Sequence, residues 1–162
     1  VNEPSHSSTI AGWREWVGLP ELGVPWIKAK LDTGAQTSSL HAFDIEEIRA
    51  DGGDRVRFGV QPWQHNDADA VVVELPVLDR RSVRSSSGHT EERIVVLLDV
   101  ALLGRTLAVE VTLTNRDSMG FRMLIGREAL QQGFLVDSAR SFVGGRAPRA
   151  VRQQNRDVAP AV

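Results

Sequence analysis

Residues 31–40 read LDTGAQTSSL and follow the apolar run VPWIKAK, and residues 121–130 read FRMLIGREAL. In the first stretch Leu31 closes a strand-like run, Asp32 sets one carboxylate at its end, and Thr33, Gly34 and Ala35 are small and turn-prone. Gly34 permits a sharp backbone reversal, and the Thr33 hydroxyl can bond neighbouring backbone and stiffen a loop. Two readings fit: a plain Asx-type turn at a strand end, or a catalytic aspartate on a tight loop. Asp-Thr-Gly alone is weak, since chance places it in roughly a few per cent of chains this long. Its setting adds weight, because small residues at 33–35 let two such loops approach closely, as a carboxylate pair requires.

Outward from these anchors the chain is dominated by short β-branched or alternating runs bounded by Gly, Pro, Asp or Asn: TIAGWREWVGLP, RVRFGVQP, AVVVELPVL, RIVVLLDVALLG and RTLAVEVTLT. Gly104 in LLGRT marks a hairpin with strands near 94–102 and 106–114. Alternation in the second of these puts Leu107, Val109, Val111 and Leu113 on one buried face. GREALQQG is the one segment after the strands with good helix composition, so one short helix is expected near 127–132, stopped by Gly133. AFDIEEIRADGG fits an amphipathic helix and a strand about equally, and strand is preferred. Residues 79–93, DRRSVRSSSGHTEER, are polar and flanked by apolar strands, as at the tip of a long hairpin that is either idle or a lid. The ends, 1–9 and 144–162, lose apolar periodicity and read as frayed, leaving a single domain over 10–143.

With 162 residues, one domain with a sizeable core is expected, and 41% apolar with 25% charged residues is ordinary for a folded, soluble chain. A net charge of −2 gives no overall positive field for nucleic acid or an anionic membrane. No run approaches the roughly 18 apolar residues of a membrane span. The chain has no cysteine, which removes disulfides, thiol nucleophiles and thiolate metal sites but leaves the compartment open between cytoplasm and periplasm. The N-terminus begins at Val1 and lacks the layout of a secretion signal, and a trimmed leader would account for both.

Hydrophobic-Asp-Thr-Gly-Ala, followed much later by hydrophobic-x-hydrophobic-Gly-Arg, a short helix and a terminal strand, resembles the retropepsin-like aspartic proteases. KLDTGAQTSSLHA, RSSSGHTEER, VTLTNRDSMGFRMLIGREAL and FLVDSARSF resemble the bacterial branch often labelled ATP-dependent zinc proteases, over about residues 10–143. The resemblance implies a mostly β, closed barrel-like fold, a homodimer, a peptide or protein substrate, and Asp32 as the catalytic residue of each copy. Paired carboxylates share a proton, so one can act as general base on water while the other donates to the scissile group. The sequence holds no second Asp-Thr-Gly or Asp-Ser-Gly, and Asp117-Ser118-Met119-Gly120 is a poor echo, so the second carboxylate is expected from a symmetry mate.

By the same resemblance Thr33 stiffens the paired loops, Gly34 and Ala35 line the substrate floor, Gly126 and Arg127 form a structural second loop, and hairpin 82–94 is the flap, with Ser86, Ser87, Gly88 and His89 near its tip. In many retropepsins that arginine pairs with an acidic residue just after the catalytic motif. Gln36 and Thr37 stand there instead. Arg127 must therefore find another partner, with Asp44, Glu128 and Asp137 open, or sit exposed.

The zinc and ATP labels find no residues to carry them. His6, His41, His65 and His89 show no H-E-x-x-H spacing, and there is no G-x-x-x-x-G-K-[ST] loop, so no metal or cofactor is expected. No G-x-S-x-G elbow is present either. Trp13, Trp16, Trp26 and Trp63 read as core or interface aromatics. A different class of function stays open beside the peptidase: a peptide-binding or interaction module on the same fold, without turnover.

Overall fold

The structure is a computed structural model that describes residues 8–63, 68–84, 87–115 and 120–156, with 154–156 by backbone only. Twelve strands lie along the described residues: β1 Thr9–Gly12, β2 Arg14–Leu19, β3 Val24–Asp32, β4 Ser38–His41, β5 Phe43–Ile48, β6 Arg55–Val60, β7 Val71–Pro76, β8 Asp79–Arg84, β9 Thr90–Leu102, β10 Arg105–Thr114, β11 Met123–Gly126 and β12 Phe134–Asp137. A 3-10 turn, Pro20–Leu22, and two helices, α1 Arg127–Leu130 and α2 Arg149–Arg156, complete them.

Strands β10, β4, β11, β3, β2 and β9 are hydrogen-bonded in that order, and β9 pairs again with β10, closing a six-stranded barrel. β8 adds to the outside of β9. Period-two alternation sends one side of each strand inward. Thus β3 buries Val24, Ile27, Ala29 and Leu31, and β10 buries Leu107, Val109, Val111 and Leu113. These meet Val17, Leu19, Leu40, Leu98, Val100, Met123 and Ile125 in the main core. The three-stranded sheet β5–β6–β7 joins the same core through Val56, Phe58 and Val60. The mostly β barrel expected from the sequence is what forms.

Local expectations fare well where turn chemistry or alternation is strong. AFDIEEIRADGG supplies strand β5, with Asp44 at φ +50 beside a register shift between Phe43 and Glu46. The hairpin at Gly104 turns through Leu103 (φ +51) and Gly104 (φ +77), a pair of left-handed residues that matches the twist of the strands it joins. Helix α1 is one turn long and starts at Arg127, as the composition of GREALQQG predicts.

The sequence reading ends the domain at residue 143, and the described residues beyond it, 144–156, include a second helix. Residues 140–144 form a strap across the start of β2, and α2 follows. Trp13 N–H donates to the Arg140 carbonyl (2.9 Å) and Phe142 N–H to the Arg14 carbonyl (2.9 Å). Glu15, 1% exposed, accepts hydrogen bonds from the N–H groups of Gly12 (2.7 Å), Val143 (2.9 Å) and Gly144 (3.0 Å). Beyond the strap, Ala147 is buried with Trp16 and Trp63 in a second cluster against which Trp26, Phe142 and Val151 pack. Low apolar content masks these contacts in the sequence, because the Glu15 carboxylate holds the strap through the N–H groups of Val143 and Gly144.

Glu15→Ala is therefore expected to lower the unfolding free energy by about 2–4 kcal/mol, since it leaves buried N–H groups without a partner. Urea unfolding monitored by tryptophan fluorescence checks this, and Glu15→Gln should lose less.

Candidate active site

β11 pairs with β3 in parallel, and the register sets Gly126 beside Asp32, Ile125 beside Leu31 and Leu124 beside Lys30. The two motifs, remote in sequence, are neighbours in the barrel. Beyond the paired strands their loops interlock: Arg127 N–H donates to the Ala35 carbonyl (2.8 Å), Glu128 N–H to the Gln36 carbonyl (3.2 Å), and Gly126 N–H to Ser38 Oγ (3.0 Å). Gly126 is required by space, because a Cβ there would stand 2.6 Å from the Thr37 carbonyl oxygen.

Asp32 is half-buried at the end of β3. Its Oδ1 accepts from Gly34 N–H (2.9 Å), and its carbonyl accepts from Ala35 N–H (3.3 Å), so the loop is wound on the carboxylate it presents. Thr33 and Gly34 are exposed and Ala35 is half-buried. No second carboxylate bonds to Asp32 among the described residues.

Arg127 is exposed, and its Nη1 donates to the Gly34 carbonyl (3.3 Å). None of Asp44, Glu128 and Asp137 forms an ion pair with it among the described residues. The carboxylate contact moves instead to Gln36, whose Nε2 donates to Glu128 Oε1 (2.9 Å). Gln36 is thus matched by Glu128, one residue past the arginine, and the two loops stay tied by a neutral amide on a carboxylate. The departure in the sequence pointed to this spot but not to the partner.

Next to these loops lies a cleft of about 660 Å³. Its floor is Gly34, Ala35, Gln36 and Thr37, and hairpin β8–β9 faces it with Arg81, Val83, Arg84 and Arg93. Asp32 does not line this space directly; its loop does. This hairpin is the one the sequence reading assigns as a flap, and Arg84 lies opposite Thr90 at its last described pair. Ser87, Gly88 and His89 at the tip are exposed, while Ser86 lies outside the described residues, as do His6, His65 and Asp117 to Met119. His41 is buried, with Nε2 3.3 Å from Gln61 Oε1. Trp16 and Trp63 are buried and Trp13 and Trp26 half-buried, away from the cleft lining.

Sequence reasoning missed the brace at the root of the hairpin. Arg81 bridges Asp79 (2.9 Å) and Glu110 (3.0 Å), and Arg80 bridges Glu47 (2.9 Å) and Asp54 (3.0 Å). Strand register brings Glu47 and Asp54 to Arg80 and Glu110 to Arg81, so residue spacing carries no sign of those three contacts. The Arg81 side chain and then the Arg80 N–H hold the Asp79 carboxyl below its ordinary value of 3.8. The same carboxylates hold both guanidinium groups above theirs.

A model of the RimB-like family, described as retropepsin-like aspartic endopeptidase RimB, matches residues 10–147. The chain belongs to this family. It is 45% identical over 141 residues to proteins named probable alpha-L-glutamate ligase from Shewanella pealeana and Shewanella halifaxensis, matches that cover 87% of this chain and 31% of each relative. A similarly named Parasynechococcus marenigrum protein is 48% identical over 128 residues, covering 79% of this chain and 28% of that one. The match therefore spans about a third of these curated relatives. The crystal structure of a Legionella pneumophila protein of unknown function (DUF785) superposes with a TM-score of 0.72 at 31% identity, covering 84% of this chain and 98% of the other.

Two outcomes follow from the site geometry. Gly126→Ala should cost about 1–3 kcal/mol of stability by overpacking against Thr37, read as a lowered urea midpoint. Because the folded Asp79 pKa is depressed, its contribution is present in full above the unfolded value and is lost as pH falls through the lower folded value. Hydrogen-exchange protection at the hairpin root, corrected for intrinsic rates, should therefore stay flat from about pH 7 to about pH 5 and fall only below the ordinary carboxylate range.

Proposed function

We propose that this chain is an aspartic endopeptidase that works as a two-fold homodimer, with Asp32 of each copy forming the catalytic pair. The observation that carries the reading is the interlock at Asp32: the carboxylate stands at a strand end, its loop is bonded to Gly34 and locked to Gly126 and Arg127, and a hairpin-covered cleft lies alongside. One carboxylate cannot serve as base and acid in the same step. Two held close cannot both ionise, so the charged one takes a proton from water as that water attacks the peptide carbonyl. The protonated one donates to the carbonyl oxygen, and a proton then passes to the leaving amine. Membership of a retropepsin-like endopeptidase family supports the assignment.

The substrate reading is an acidic, glutamate-bearing peptide. Arg84 is exposed at the cleft and makes no ion pair among the described residues, and Arg81 and Arg93 stand beside it. The relatives that carry this region as about a third of their length are named for glutamate ligation. That same naming favours a second reading, in which the domain holds a glutamate-bearing peptide for a partner activity without cleaving it.

Cleavage of a glutamate-rich peptide library, read by mass spectrometry, separates the two. The peptidase reading expects wild-type turnover, a loss of about a thousandfold or more in Asp32→Asn, and a sedimentation profile in which activity follows the dimer. Peptide binding with no cleavage in any of these proteins would establish the binding module instead.

A further inference from the structure

A second group of side chains, outside the cleft, has no part in the chemistry above. On the strap Phe142 has φ +53, a left-handed conformation that bulky residues rarely adopt and that points towards function. It is held there by its own N–H on the Arg14 carbonyl and by the Glu15 contacts to the next two residues. Around its ring stand three cations, with Arg14 at 4.9 Å, Arg146 at 5.7 Å and Lys28 at 6.0 Å from the centroid. Arg14 is also 4.7 Å from the Trp13 ring, so its guanidinium lies between two aromatic faces.

A ring face attracts one cation, but three like charges around one ring repel each other. The carboxylate next to Arg14, Glu15, is engaged with three backbone N–H groups. Among the described residues Arg14, Lys30 and Arg146 form no ion pair with any carboxylate. Arg14 Nε is, in addition, a fully buried side-chain nitrogen with no hydrogen-bond partner. A strained aromatic and a clustered positive charge together describe a platform suited to an anion.

The platform leads to Asp32. Lys28, Lys30 and Asp32 alternate on the outward side of β3, opposite the buried Ile27, Ala29 and Leu31, and Arg14 pairs directly with Lys30 across β2–β3. From Lys28 to Asp32 the strand advances only about 13 Å, a span that four or five extended peptide residues cover.

We propose that Arg14, Lys30 and Arg146 form an exosite that binds the carboxylates of an acidic polypeptide whose neighbouring residues lie in the cleft. The anion platform stands by itself, and its connection to the cleft rests on the peptidase reading. A polypeptide is favoured over nucleic acid because the chain has net charge −2, the positive surface is a short row, and the relatives' names concern glutamate.

The test uses the Asp32→Asn protein, so that a peptide probe is not consumed, and fluorescence anisotropy with glutamate-rich peptides of about four and about twelve residues, the longer reaching some 40 Å when extended. The double variant Lys30→Glu/Arg146→Glu should weaken the longer peptide about tenfold and the shorter one less, with both losses shrinking as salt rises. Both side chains are exposed, and an unchanged circular dichroism melt verifies the fold; if the melt shifts, Lys30→Ser/Arg146→Ser replaces the pair. Equal affinity of the long peptide for variant and parent would overturn the exosite. So would equal binding of a neutral peptide of the same length, or variant-sensitive binding of a single-stranded oligonucleotide in preference to the peptide. Retention of this charge-dependent binding in a wild-type protein that cleaves nothing would sink the peptidase reading alone.

Discussion

The parallel pairing of β11 with β3 is the contact on which the rest of the molecule depends. It brings Gly126 to Asp32, and from that one register follow the bonds of Arg127 to Ala35 and Gly34, of Glu128 to Gln36, and of Gly126 to Ser38. Parallel neighbours cannot be joined by a tight turn. The chain meets this by threading β4 to β10 between the two strands, and those strands supply the barrel wall, the covering hairpin and the cleft. Placing a carboxylate on a loop and completing the barrel are, in this topology, the same event.

Electrostatics is distributed unevenly around that framework. The hairpin over the cleft is rooted by Arg80 and Arg81, each shared between two carboxylates and partly exposed, so these bridges fix register more than they add stability. At the Asp32 and Gly126 loops Glu128 meets a neutral amide, Gln36, and Arg127 meets the Gly34 carbonyl. Around Phe142 stand Arg14 and Arg146, which form no ion pair among the described residues, and the buried Glu15 turns its charge to backbone N–H groups.

The match to about a third of proteins named as glutamate ligases sets the domain in a wider chemical context. Arg81, Arg84 and Arg93 line the cleft, and Arg14, Lys28 and Lys30 stand along β2 and β3.

By itself the sequence determined the β character of the chain, the position of Asp32 on a small-residue loop, the Gly104 hairpin and the helix after Gly126. Each of these is written in local terms: alternation, turn residues or a helix start. It also marked Gln36 as a departure. Only the tertiary structure decided what Gln36 meets, where Arg127 goes, how the hairpin root is braced, and that Ala147 packs against Trp16 and Trp63. Those contacts join residues far apart in the chain through strand register and buried polar bonds. Neither leaves a period or a spacing in the sequence, so they exist only once the barrel has closed.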